Sequence, residues 1–215
     1  MQRELLRTGA SLVGCCLDDA ALDRFERYLA ELLHWNRSIN LTAITDPQHV
    51  VIKHFIDSLS IVPLLDQGIR LLDIGSGAGL PGLAVAVVRP DLQVTSLDAV
   101  EKKVRFQRHL CRLLGLSGVE VVHRRVEQLA QERPGCYDLV VSRAFRDLER
   151  FAQLALPLVR PCGRLLAMTS GGDANQERTA ELCARHSLRL LQQLDYALPE
   201  SMGQRRLLLF AKTDR

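Results

Sequence analysis

Apolar and polar positions follow two regimes along the chain, and the change comes near residue 68. Before it the spacing is helical. Between residues 18 and 36, Leu22, Phe25, Leu29, Leu32, Leu33 and Trp35 recur mostly at three- and four-residue steps, the mark of a helix with one buried face. Asp18 or Asp19 serves as its N-cap. The polar stretch from Asn36 to Thr42 ends that helix, and Pro47 begins another that runs through Phe55-Ile56-Asp57-Ser58-Leu59. Pro63 stops it by removing a backbone donor and crowding the preceding turn. From Ile69, strands expected near 69–74, 92–97, 119–123, 137–142, 163–169, 188–195 and 205–212 alternate with helices over 81–88, 100–114, 148–156 and 174–186. Such alternation predicts an α/β fold with a mostly parallel sheet and right-handed crossovers. The short link around Leu198 to Gly203 makes the last two strands an antiparallel hairpin at one edge. Residues 1–67 thus read as an N-terminal helical cap and 68–215 as the α/β core, the two forming one compact unit.

The densest local signal is Leu71 to Gly82, where an apolar run carries Asp73, four glycines follow, and Pro81 stands at the start of a helical stretch. A strand, a tight loop and a helix N-terminus aim backbone N–H groups and the positive helix end at a ligand. Two registers are possible. Gly77-x-Gly79-x-x-Gly82 matches a dinucleotide fingerprint, with Asp98 at the ribose position, whereas Gly75-x-Gly77-x-Gly79 matches the tighter loop of S-adenosylmethionine enzymes. Asp98 suits both. Asp73 does not: beside a pyrophosphate it would repel, and beside a sulfonium and an ammonium it attracts. The charge favours the methyl donor over a nicotinamide oxidoreductase or a non-catalytic nucleotide binder. Leu80 extends the loop, backbone at Val126 and Glu127 after the third strand faces an adenine edge, and Arg143 ends the fourth strand at the mouth. An Arg there clamps a donor carboxylate or a substrate phosphate, or pairs with Asp73 or Asp98.

Composition adds a partner and removes others. With 47% apolar and 25% charged residues the 215-residue chain is of ordinary globular type, and its net charge of +3 is too small to identify a polyanion partner. The distribution is more telling. Lys102, Lys103, Arg105, Arg108 and Arg112 crowd one helix, and Arg124-Arg125 follow the next strand, which reads either as a solvated basic face or as a footprint for phosphates. Lys102, Lys103, Arg105 and Arg124 are the candidates for holding such phosphates. The six cysteines show no spacing that suits zinc, and no segment resembles a signal peptide or a membrane span, so a cytoplasmic protein without metal is expected.

Five sets of residues, in this order and spacing, carry a resemblance: Trp35-Asn36 with Asn40-Leu41-Thr42; His54 with Asp57-Ser58; Asp73 to Gly82; Arg125-Val126-Glu127; and Ser142-Arg143-Ala144-Phe145. Together they make the chain similar to the RsmG (GidB) family of small-subunit ribosomal RNA methyltransferases, from about residue 20 to 212. The resemblance implies a class I, Rossmann-like methyltransferase fold, with a seven-stranded sheet and a helical cap. It also implies methyl transfer from S-adenosylmethionine to N7 of one guanine in 16S rRNA, free or in the assembling small subunit. Gly75, Leu80, Val126, Glu127 and Arg143 match donor-binding positions, and Asn40, Arg125 and Arg143 match positions that support activity. One departure stands out: where many members have Lys-Gly after the fifth strand, this chain reads Thr169-Ser170-Gly171-Gly172.

Guanine N7 has a free lone pair, so the reaction needs positioning and no general base. Ser142 and Asn40 are candidates to orient the base. His54 and Asp57, three apart on a helix, either face the acceptor cleft or, the expected case, pair with each other and tie cap to sheet, and Trp35 is expected to pack between cap and sheet. Nothing in the pattern calls for a second copy, so a monomer is expected.

Overall fold

The structure, a computed structural model, describes residues 2–143, 147–170 and 176–213. Ala144 and Phe145 of the fourth-strand motif, and Gly171 and Gly172, lie outside the described residues. The cap comprises α1 (Gln2–Leu12), α2 (Asp19–Ile39) and a rod made of α3 (Pro47–Val50), a π-helical segment (Val51–Ile56) and α4 (Asp57–Leu59). Asp18 is the cap of α2, accepting the Ala21 N–H at 2.7 Å. The rod was expected as plain helix. Its π segment forms i→i+5 bonds and widens the turn between Val51 and Ile56, which re-aims the side chains that follow.

Seven strands, β1 (Arg70–Ile74), β2 (Gln93–Asp98), β3 (Val119–His123), β4 (Tyr137–Ser142), β5 (Val159–Ser170), β6 (Leu188–Ala197) and β7 (Gln204–Lys212), form one sheet in the order β3-β2-β1-β4-β5-β7-β6. The first five are parallel, and β7 runs antiparallel to both β5 and β6. Crossovers are α5 (Gly82–Val88), α6 (Glu101–Leu114), α7 (Val126–Glu132), α8 (Leu148–Ala155) and α9 (Gln176–His186). Helices on both faces explain why β1 after Arg70 is buried throughout and reads as an unbroken apolar run. Two elements differ from expectation. The seven-residue α7 has too few apolar positions to show a helical period, and β5 begins four residues early, where Cys162 takes a left-handed φ of 58°.

One apolar cluster joins the cap to the sheet, running from Leu22, Phe25 and Phe55 through Leu83 and Val85 to Leu71 and Val94. Trp35 packs as expected, its ring 5.6 Å from Phe106 and 5.2 Å from His109 on α6. The cap therefore packs on α5 and α6, on one face of the sheet.

Candidate active site

The chain turns sharply after β1 because Gly75, Gly77 and Gly79 take φ values of 72°, 60° and 87°, which residues with a Cβ rarely adopt. Gly82 serves a different purpose. A Cβ there would lie 2.9 Å from Asp73 Oδ2, so only glycine lets α5 close on β1 and lets the Gly82 N–H reach that oxygen at 2.8 Å. Pro81, expected as the first residue of this helix, is instead the N-cap of α5. Asp73 is fully buried, and among the described residues its Oδ1 has no hydrogen-bond partner. Burial raises its pKa to about 7, against the lowering effects of the Gly82 N–H and the nearby Arg143 charge. Asp98, at the end of β2, holds the loop with one oxygen on the Gly77 N–H and the other on the Val100 N–H, both at 2.8 Å. A carboxylate has about four lone-pair sites, so two remain for other donors.

Two supports escaped sequence reasoning. The Tyr28 hydroxyl, from α2, donates to Ala78 O at 2.7 Å. Gln107 is fully buried on α6, and its amide donates to Ser76 Oγ at 2.9 Å and Gly77 O at 2.8 Å while accepting from Ser96 Oγ at 2.9 Å. Both had a signal. Tyr28 shares the buried face of α2 with Phe25 and Leu32, and Gln107 falls between Val104 and Leu110, where the period calls for an apolar residue.

A cavity of about 210 Å³ opens over the loop, lined by Leu41, Thr42, His54, Gly75 to Ala78, Leu80 and Arg143. The loop below thus meets a wall supplied by the cap. Asn36 builds that wall: its side-chain amide donates to Thr42 O and accepts the Thr42 N–H, both at 2.9 Å. Thr42 Oγ1 lies 2.8 Å from His54 Nε2, and His54 Nδ1 lies 3.1 Å from Lys53 O. Burial first, then the Arg143 charge, lowers the His54 pKa to about 3, so the ring is neutral and donates to Lys53 while accepting from Thr42.

Two expectations, for His54 with Asp57 and for Ser142, are corrected, and for Arg143 one alternative falls. His54 and Asp57 do not pair, because the π segment between them breaks the one-face stacking that a three-residue step has in an α-helix. Arg143 pairs with Asp57, at 3.4 Å, and its Nη1 donates to Lys53 O at 3.0 Å; neither Asp73 nor Asp98 is its partner. Ser142 is buried and its hydroxyl donates to Ile74 O at 2.8 Å, which locks β4 to β1 and takes that proton away from a bound base.

The remaining residues lie around this centre. Asn40 is the C-cap of α2 at φ 50°, exposed, next to the cavity-lining Leu41, with no side-chain hydrogen bond among the described residues. Arg125 caps α7 and stands in solvent. Val126 and Glu127 open that helix and so leave N–H groups without intrahelical acceptors, while the Glu127 carboxylate turns away to Arg150 at 3.0 Å. Neither residue lines the cavity. Asp98 is in register with His123, which puts Arg124 and Arg125 on the same sheet edge as Lys102 and Lys103 in the first turn of α6. Arg105 and Arg124 carry exposed ion pairs, to Glu101 at 2.6 Å and Glu132 at 3.3 Å. Thr169 is half-buried near the end of β5 and its hydroxyl donates to Arg206 O at 3.4 Å.

A glycine loop between β1 and α5, a carboxylate behind it and another at the tip of β2, in this strand order, define an S-adenosylmethionine-dependent methyltransferase fold. Solved structures agree: a methyltransferase of Burkholderia thailandensis that methylates N1 of 1,6-didemethyltoxoflavin, with S-adenosylhomocysteine bound, aligns at TM-score 0.61 and 17% identity over 89% of this chain and 88% of its own. The [4+2]-cyclase SpnF aligns at TM-score 0.63 and 17% identity over 91% of this chain and 97% of its own. The fold alone therefore does not fix the reaction. Sequence narrows it. The family model for rRNA small subunit methyltransferase G (GidB) matches residues 21–208, and the ribosomal RNA small subunit methyltransferase G of Geobacter metallireducens is 43% identical over 98% of this chain and 96% of its own. The chain belongs to that family.

Proposed function

We propose that this protein methylates N7 of a guanine in 16S rRNA, with S-adenosylmethionine as donor, and that the cavity over the glycine loop is the donor site. The observation that carries this is the convergence of Gly75, Gly77, Leu80 and Arg143 on one cavity, in a chain whose family match spans both cap and core. The donor set fits such a ligand. Arg143 is the one ionised side chain on the cavity wall among the described residues, suited to a carboxylate, and the unpartnered Oδ1 of Asp73 lies behind the loop, suited to a nearby cation. When bound, the cofactor supplies the methyl group.

The residues act by holding and aligning. N7 needs no proton removed, so no side chain is assigned as a base. Transfer leaves positive charge on the guanine, and in this reading the exposed Asn40 amide, next to Leu41, orients the base edge. N7 faces the major groove, which in A-form RNA is too narrow for side chains, so the target guanine is unpaired or extruded. Lys102, Lys103, Arg105 and Arg124 in this reading hold the flanking phosphates. In this reading the protein works as a single chain, in the cytoplasm, on rRNA or the assembling subunit. Mass spectrometry of 16S rRNA from cells with and without the gene tests it: one N7-methylguanine should vanish with the gene, and an unchanged modification pattern would overturn the assignment.

A further inference from the structure

Asp57 is a buried carboxylate of the cap, and it is the centre of a cluster drawn from three parts of the molecule. Its side chain is 5% exposed. Its Oδ1 accepts the Tyr196 hydroxyl at 2.8 Å and lies 3.3 Å from Arg205 Nε, while Oδ2 faces Arg143 Nη1 at 3.4 Å. Ser60 Oγ, 2.8 Å from the Tyr196 hydroxyl and 2.6 Å from Asp57 O, closes the ring. Tyr196 and Arg205 are cross-strand partners in the β6–β7 hairpin, so the hairpin register delivers both to one carboxylate.

We propose that Asp57 is a positioning residue for Arg143, that Tyr196 and Arg205 hold Asp57 in place, and that the C-terminal hairpin thereby sets the geometry of the donor cavity. The proposal rests on the reading of that cavity as the donor site. Two physical arguments support it. A buried ion pair returns little net stability after desolvation, so stability alone does not account for a carboxylate enclosed in this way. The charge count also leaves a surplus: one carboxylate serves two guanidinium groups, so Arg143 is oriented without being neutralised. With its Nη1 held by Asp57 and Lys53 O, the rest of its fork is directed to the cavity it lines. An arginine free to sample its rotamers would lose that orientation each time a carboxylate had to be met.

The test is a double-mutant cycle read by calorimetric titration of S-adenosylmethionine into the full-length protein. The set is wild type, Asp57→Asn, Arg143→Ala and the double variant, each with a thermal melt. Asp57→Asn should weaken donor binding about tenfold in the wild-type background and less than about twofold on top of Arg143→Ala, because its effect passes through Arg143. Equal losses in both backgrounds would show a merely structural role and overturn the proposal. If Asp57→Asn does not fold, Tyr196→Phe replaces it, with an expected loss of about threefold that also disappears on Arg143→Ala. Failure of the wild type to bind the donor overturns the donor-site reading itself and this proposal with it; that result is distinct from binding without coupling.

Discussion

On the cap side of the glycine loop the polar groups are buried and interlocked: Tyr28 on Ala78, Asn36 on Thr42, His54 on Thr42, Asp57 on Arg143. On the β2–β3 side the charges stand in solvent, with Lys102 exposed, Arg105 and Arg124 in pairs that are more than half exposed, and Arg125 open. The two sides are suited to different ligands. Buried, mutually fixed groups hold one small molecule in one geometry, because reorganising them costs more than keeping them. Exposed charges attract a polyanion without fixing its sequence, and salt weakens them. In the proposed reaction the first side takes the donor and the second the RNA.

That contrast is broken most severely at the loop itself. Gly79→Ala would force a Cβ at φ 87° to within 2.9 Å of both Tyr28 Oη and Leu83 Cδ2. Donor binding should be lost and stability should fall by roughly 2 kcal/mol or more, read by calorimetry and urea unfolding. Next comes Asp73, whose carboxyl ionises near pH 7. If a cationic donor requires the ionised form, affinity should rise about tenfold between pH 6 and pH 8 in the wild type, and Asp73→Asn should be weak and flat across that range. A wild-type affinity independent of pH would separate Asp73 from the donor.

Stability against pH tests the same side. A folded-state pKa of about 3 for His54 means that the unfolded chain binds the proton first, so its contribution falls as the pH drops from about 6.5 toward 3. Asp73 has the opposite sign: its folded pKa is raised, so its contribution is full at low pH and falls as the pH rises toward 7. Between about pH 4 and 6 the two slopes, each at most about 1.4 kcal/mol per pH unit, oppose each other. His54→Gln should therefore make stability decline with rising pH in that window, where the wild type is flatter. Smaller still, Tyr28→Phe should lose about 1 kcal/mol and loosen donor binding a fewfold, by freeing Ala78 O. On the exposed side, Lys102→Glu with Lys103→Glu should weaken RNA binding mainly at low salt and leave donor affinity unchanged. Equal loss of both affinities would erase the distinction between the two sides.

Local pattern made the loop, the strand–helix alternation and the closing hairpin legible, since each is written in neighbouring residues. What stayed hidden depended on distance or on geometry within a helix. Asp57 meets Tyr196 across 139 positions and Arg143 across 86, and no periodicity connects them. The expected His54–Asp57 pair assumed an α-helical step that the π segment removes. Ser142 looked available because it ends a strand at the mouth, but the carbonyl of the adjacent strand claims its proton. Gln107 and Tyr28 were readable after the fact, as polar groups on apolar faces, a pattern that itself marks a buried partner.

The central claim, that this loop and its cap wall hold a cationic methyl donor and not a pyrophosphate, is tested most directly by titrating the intact protein with S-adenosylmethionine and with NAD in one calorimetric series. Saturable binding of S-adenosylmethionine at one site, with no heat from NAD, is the predicted result; binding of NAD at that site, or no binding of S-adenosylmethionine, would contradict it.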